Sequence, residues 1–174
     1  LGENLFTSLT LQYLDLVNNI CINGRSSDPK RIQEIIQDAK IKCPEMKGDI
    51  ESSTKLAFNC QFKDSTFSTL GSLYTCKVTK ISNLSLGHVL ASITGNHQKG
   101  KSNEDVHALE IKDTARELTF IPQGIENFFP NLTALYIINS SIEFLLGNEL
   151  YLYKNLEWFG IYDSPLRKIP RNLF

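Results

Sequence analysis

Hydrophobic residues are laid out along this chain in three different rhythms. One is a fixed figure, L-x-x-L-x-L-x-x-N-x-L. Leu11-Leu14-Leu16-Asn19-Cys21 fills it at every position. Leu132-Leu135-Ile137-Ser140-Ile142 and Leu156-Phe159-Ile161-Ser164-Leu166 fill it with Ser in the Asn place, and Val106-Leu109-Ile111-Thr114 is a weaker copy. Within each figure apolar and other residues alternate, which predicts one short strand per copy. The second rhythm is helical. Ile32, Ile35, Ile36 and Ala39 form one apolar stripe, with Asp28 as N-cap, Pro29 at the first helical position and Pro44 as the stop. The third is alternation with period two over 56–62, 73–78 and 89–93, separated by Ser, Thr and Gly. It predicts an antiparallel hairpin with a third strand.

The fixed figure is the spacing that defines leucine-rich repeats. Copies starting at 106, 132 and 156 are separated by 26 and 24 residues, within the roughly 20–29 of such arrays. The return segments also match, since Ile169-Pro170-x-x-Leu173 has the form of Ile121-Pro122-x-x-Ile125. The expected fold class is therefore α/β. It is a leucine-rich repeat solenoid with parallel strands on the concave face and an irregular or short-helix convex side. There Ile125, Phe128 and Leu150 supply a second apolar layer. A single repeat cannot bury its apolar face, so neighbours stack to make the core. The Asn position satisfies backbone groups inside the turn. Thr114, Ser140 and Ser164 stand there in place of Asn, so a less regular ladder is expected in the second half.

Four segments follow. Residues 1–44 read as the last repeat and C-terminal cap of a first array, with the helix pinned across its open end. Residues 45–55 read as a linker, 56–105 as the N-terminal β cap of a second array, and 106–174 as its repeats. Asn4-Leu5-Phe6 matches Asn172-Leu173-Phe174, so the chain starts and stops at about the same phase, as a piece of a longer array would.

Cysteine and sequon placement change the picture of the compartment. Cys21/Cys43 and Cys60/Cys76 form two local pairs that fit two disulfides. No C-x-x-C occurs, and His88, His97 and His107 stand at none of the usual zinc-finger spacings, so no metal is expected. Asn83, Asn131 and Asn139 each open an N-x-S/T sequon. Together these point to an extracellular, secreted or cell-surface location. A net charge of -1 gives no electrostatic case for nucleic acid or anionic membrane, and no apolar run approaches the roughly 18 residues of a membrane helix.

Several segments together carry a family likeness: Tyr74-Thr75-Cys76-Lys77-Val78, Ile93-Thr94-Gly95-Asn96-His97, Gly100-Lys101-Ser102-Asn103, Asp105-Val106 and Phe129-Pro130-Asn131-Leu132. With the Asn19-x-Cys21-Ile22 ending and its capping helix, nearly the whole chain resembles secreted leucine-rich repeat proteins of arthropods. The resemblance implies a curved solenoid and recognition of a protein or glycan outside the cell, without catalytic residues or cofactors. A matrix protein that self-associates through the same face is the competing use.

One motif argues for another class. Gly95 to Ser102 matches G-x-x-x-x-G-K-[ST], in which Lys101 and Ser102 would serve a nucleotide phosphate and magnesium. Such a loop opens a helix, whereas this one runs into the strand figure at Val106 within a few residues. A glycine-rich turn in the cap is the preferred reading. No G-x-S-x-G elbow accompanies the histidines, so no enzyme is expected. The expected partner-binding residues are those projecting from the last two strand figures, Tyr136, Ile138, Trp158 and Tyr162. There large aromatics would stand exposed side by side. Ala108, Glu110 and Lys112 project from the preceding one, and a glycan on Asn139 would lie beside the same face.

Overall fold

The computed structural model describes residues 12–16, 24–42, 55–82, 89–112, 114–145 and 149–169. These form an α/β arrangement: one eight-stranded, mostly parallel sheet, one helix and one disulfide. The strands are β1 (Tyr13–Asp15), β2 (Arg25–Ser26), β3 (Lys55–Phe67), β4 (Gly71–Ser82), β5 (Val89–Thr94), β6 (Ala108–Ile111), β7 (Ala134–Ile138) and β8 (Trp158–Tyr162), and the helix is α1 (Pro29–Lys42). Their order across the sheet is β2-β1-β8-β7-β6-β4-β3-β5. The strand from the first segment thus lies beside β8, the last of the described strands.

Each strand figure found in the sequence places one of the strands β1, β6, β7 and β8, and their positions fall into register. Leu14, Phe159, Leu135 and Leu109 are aligned across neighbouring strands, as are Ile161, Ile137 and Ile111 in the next inward row. All seven are fully buried. Behind them lie Leu118, Ile125, Ile142, Leu150 and Leu166 from the return segments, also fully buried, while Phe128 packs at the margin of this core. The return segments touch one another as well. Arg167 N–H donates to Glu143 O at 2.7 Å and Leu145 N–H to Lys168 O at 3.0 Å. Removing these aliphatic side chains from water, at about 1.5–3 kcal/mol apiece, is what holds sheet and return layer together.

The hydroxyls that stand in the Asn place of the figure partly rebuild the ladder. Ser140 Oγ and Ser164 Oγ are 2.5 Å apart and buried, and Ile142 N–H donates to Ser140 Oγ at 3.4 Å. One residue earlier, Asn139 and Asp163 adopt φ of 60° and 51°. Both follow the end of a strand in equivalent register, where the chain turns out of the sheet. Asn and Asp tolerate this left-handed conformation better than other side chains with a Cβ.

The helix and the stapled hairpin form where the spacing expects them, with one difference. Asp28 Oδ1 accepts from Arg31 N–H at 2.9 Å, and α1 buries Ile32, Ile35 and Ile36 against β1 and β2. The proposed Cys21 and Cys43 pair lies outside the described residues. At the other end β3 and β4 pair antiparallel, β5 adds parallel to β3, and Cys60 is bonded to Cys76 with a Cα–Cα distance of 5.3 Å. The hairpin is longer than its hydrophobic alternation. Pairing continues to Phe67 and Gly71 through Lys63, Asp64, Ser65 and Thr66, which carry no apolar signal. Beyond Thr75, where pairing of β4 with β6 begins, the tip is a two-stranded ribbon.

Candidate functional site

Register decides which side chains share the outer face of the sheet. Tyr13, Trp158, Ala134 and Ala108 form one row, Asp15, Gly160, Tyr136 and Glu110 the next, and Tyr162 and Ile138 a third. The four expected binding residues are therefore brought to one face. They do not share one environment. Trp158 was expected to be exposed and is 6 % exposed, because the hairpin tip folds over it. Phe67 meets the indole edge-on at 5.1 Å, and Leu70 and Leu73 pack beside it in a small cluster with Ala108 and Ala134. Tyr136, Ile138 and Tyr162 are half-buried.

Between the tip and this face lies a cleft of about 220 Å³. Its aromatic floor is built on two small residues. Tyr13 stacks on Trp158 at 4.9 Å and 8°, and Tyr136 meets Trp158 edge-on at 4.6 Å. Gly160 makes the second contact possible, because a Cβ there would lie 2.7 Å from the Tyr136 ring. Ala134, opposite Trp158 in register, is buried in the same cluster. The polar part comes from Asp15, which is buried and bonded to the Arg25 guanidinium at 2.9 Å, and from Glu110, which meets Lys77 at 3.1 Å. Arg25 also lies 5.7 Å over the Tyr162 ring, so it links the cleft to the third row. Burial pushes the Tyr136 phenol up to about 12, the Asp15 carboxylate adding to the rise and Arg25 opposing it. Tyr13 is raised mainly by burial. The indole Nε1 of Trp158 is buried with no hydrogen-bond partner. A second cleft, of about 290 Å³, opens among the return segments beside Glu126, Glu149 and Tyr153, away from every expected site residue.

No family model, curated protein or solved structure matches the chain. The chemistry of its sites is read from its own residues.

The phosphate-loop motif folds as the connection between β5 and β6. Gly95 has φ 135°, and a Cβ there would sit 2.1 Å from the Cys60 carbonyl oxygen, so this glycine serves close backbone approach. His97 lies over Phe62 with centroids 3.7 Å apart, between the Tyr74 hydroxyl at 3.1 Å and Asn103 Oδ1 at 3.0 Å. Ser102 N–H and Oγ both donate to Asp105 Oδ2, and Lys101 Nζ is 3.3 Å from Asp105 Oδ1. The groups that would hold a phosphate are thus engaged by a carboxylate of the same loop. A single 3-10 turn, Asn103–Asp105, follows in place of a helix. Among the described residues no three His, Cys, Asp or Glu side chains converge as metal ligands, and no helix is long and apolar enough to cross a membrane.

Of the sequons, Asn83 lies outside the described residues. Asn131 is exposed, with its Nδ2 donating to Glu104 O at 2.9 Å. Asn139 is half-buried at the end of β7, beside the third row. Sequence reasoning missed Tyr13, Asp15, Arg25 and Phe67. The first two stand at the projecting positions of the Leu11-Leu14-Leu16 figure, so the rule applied to β7 and β8 would have found them. Arg25 and Phe67 carry no such signal, being placed by turns and by the hairpin tip.

Proposed function

We propose that this chain is a non-catalytic leucine-rich repeat scaffold of the extracellular, arthropod-type kind, which recognises a protein or glycan partner through the outer face of its sheet. The alignment of the strand figures in register, apolar residues inward and Tyr13, Tyr136, Trp158 and Tyr162 outward, carries this reading. On it the sheet is the concave face of a solenoid, α1 caps one end and the disulfide-bonded hairpin caps the other. Segment 1–44 supplies a repeat and its cap, and 106–174 the stacked repeats. The Cys60–Cys76 disulfide and the sequons support an oxidising, secretory compartment.

Two measurements test it. Protein secreted from eukaryotic cells and mapped without reduction is expected to carry sugar on Asn83, Asn131 or Asn139, with Cys21 linked to Cys43. A library of extracellular glycans and ectodomains is then screened against wild type, Ile138→Asp, Tyr162→Ala and, on another surface, Tyr151→Ala, whose side chain is 60 % exposed. Ligands lost by the first two variants and kept by the third support the reading. Ligands indifferent to the sheet face, or lost only with Tyr151, would sink it.

A further inference from the structure

The cleft between hairpin tip and sheet face has features that narrow what it takes. Its volume, about 220 Å³, falls below the roughly 300–1,000 Å³ of pockets for drug-sized ligands, so it suits a single ring and not a length of peptide. Its charges are internally balanced. Asp15 is paired with Arg25 at 2.9 Å and Glu110 with Lys77 at 3.1 Å, so a charged ligand would have to displace one of these partners. Its walls are aromatic, with Tyr13, Tyr136 and Phe67 all lining it. Its remaining polar groups are of both kinds. Carboxylate oxygens accept and the half-exposed Arg25 donates. Ser65, Thr66 and Ser68 add hydroxyls from the tip.

A ligand that answers all of these at once is neutral, ring-sized, apolar on a face and ringed by groups that both donate and accept. A pyranose has this form. We propose that the cleft binds one terminal pyranose unit of a neutral glycan, its C–H face against the aromatic floor and its hydroxyls on Glu110 and Arg25. This rests on the recognition reading above and names its ligand class.

The test is titration of the folded, disulfide-bonded chain with the methyl glycosides of glucose, galactose, mannose and N-acetylglucosamine. The readout is the indole N–H resonance of the chain's one tryptophan and its fluorescence. At least one glycoside is expected to move the resonance saturably at millimolar concentration. Glu110→Gln should weaken that glycoside about tenfold, as exchange of a charge-assisted hydrogen bond for a neutral one does. Gly160→Ala, which drives Tyr136 from its seat, should weaken it further. No response to any of the four, or an unchanged affinity in Glu110→Gln, overturns the proposal. A response to tetramethylammonium or acetate in place of the glycosides overturns the neutral class. None of these outcomes touches the recognition reading, whose variants Ile138→Asp and Tyr162→Ala lie outside the cleft.

Discussion

Two residues show how backbone and side chain are matched to single positions. Asn139 sits at φ 60° where β7 ends, and a β-branched residue pays the full steric cost of that conformation while glycine pays none. Asn139→Val is expected to lower stability by about 1–2 kcal/mol and Asn139→Gly to leave it nearly unchanged, as read from urea midpoints. The same position is Asn18, Asp113 and Asp163 in the other strand figures. That regularity was legible in the sequence and is more uniform than the Asn/Thr/Ser position beside it. Tyr136 gives a pH dependence. Its phenol is raised from 10.0 to about 12 by burial beside Asp15, so the folded chain holds this proton more tightly than the unfolded one. The stabilisation is complete below about pH 10, where both states are protonated, and is lost as pH rises toward 12. Denaturant midpoints across this window should fall in wild type and fall less in Tyr136→Phe.

Among the elements, the hairpin does the most that its pattern does not announce. Cys60 and Cys76 close a loop of 16 residues, and in the chain-entropy account a loop of this size stabilises by about 3 kcal/mol. Replacing both with Ala should lower the thermal midpoint by several degrees. The helix, the strand figures and the stapled hairpin were all readable, because each is set by local spacing: a cap and an apolar stripe, inward leucines, alternation around two cysteines. The tip was not. Lys63, Asp64, Ser65 and Thr66 are all polar, half-buried or exposed, so no apolar alternation marks them as strand, and backbone pairing with β4 extends it. The burial of Trp158 was missed for the same reason. Phe67 reaches it from another part of the chain, and no spacing rule encodes a contact between elements that far apart.

At the scale of the whole molecule, the sheet brings together residues that the chain holds far apart. Gln12 donates to Glu157 at 2.6 Å across 145 positions, and Tyr13 stacks on Trp158. Three of the ten residues lining the cleft (Tyr13, Asp15 and Arg25) are therefore contributed by β1 and β2, and the rest by β6 to β8 and the tip. The sequence showed that β1 is a strand figure like the others, but a figure does not say which neighbour it takes. Among the described residues, β1 and β2 join the rest of the sheet by the backbone pairing of β1 with β8.

That neighbour relation sets an order of assembly. β6, β7 and β8 follow one another closely along the chain and pair with their sequence neighbours, whereas the contact of β1 with β8 closes most of the chain's length into one loop. Long-range pairing of this kind is slow to form and is a natural place for partial opening. Hydrogen exchange should find the amides of Gln12 and Tyr13, which donate to the Glu157 carbonyl, less protected than those of β7. In stopped-flow refolding the last fluorescence change should be the seating of Tyr13 on Trp158. The tryptophan would then act as a clock for the final step of folding, and the cleft would come into being only when that clock stops.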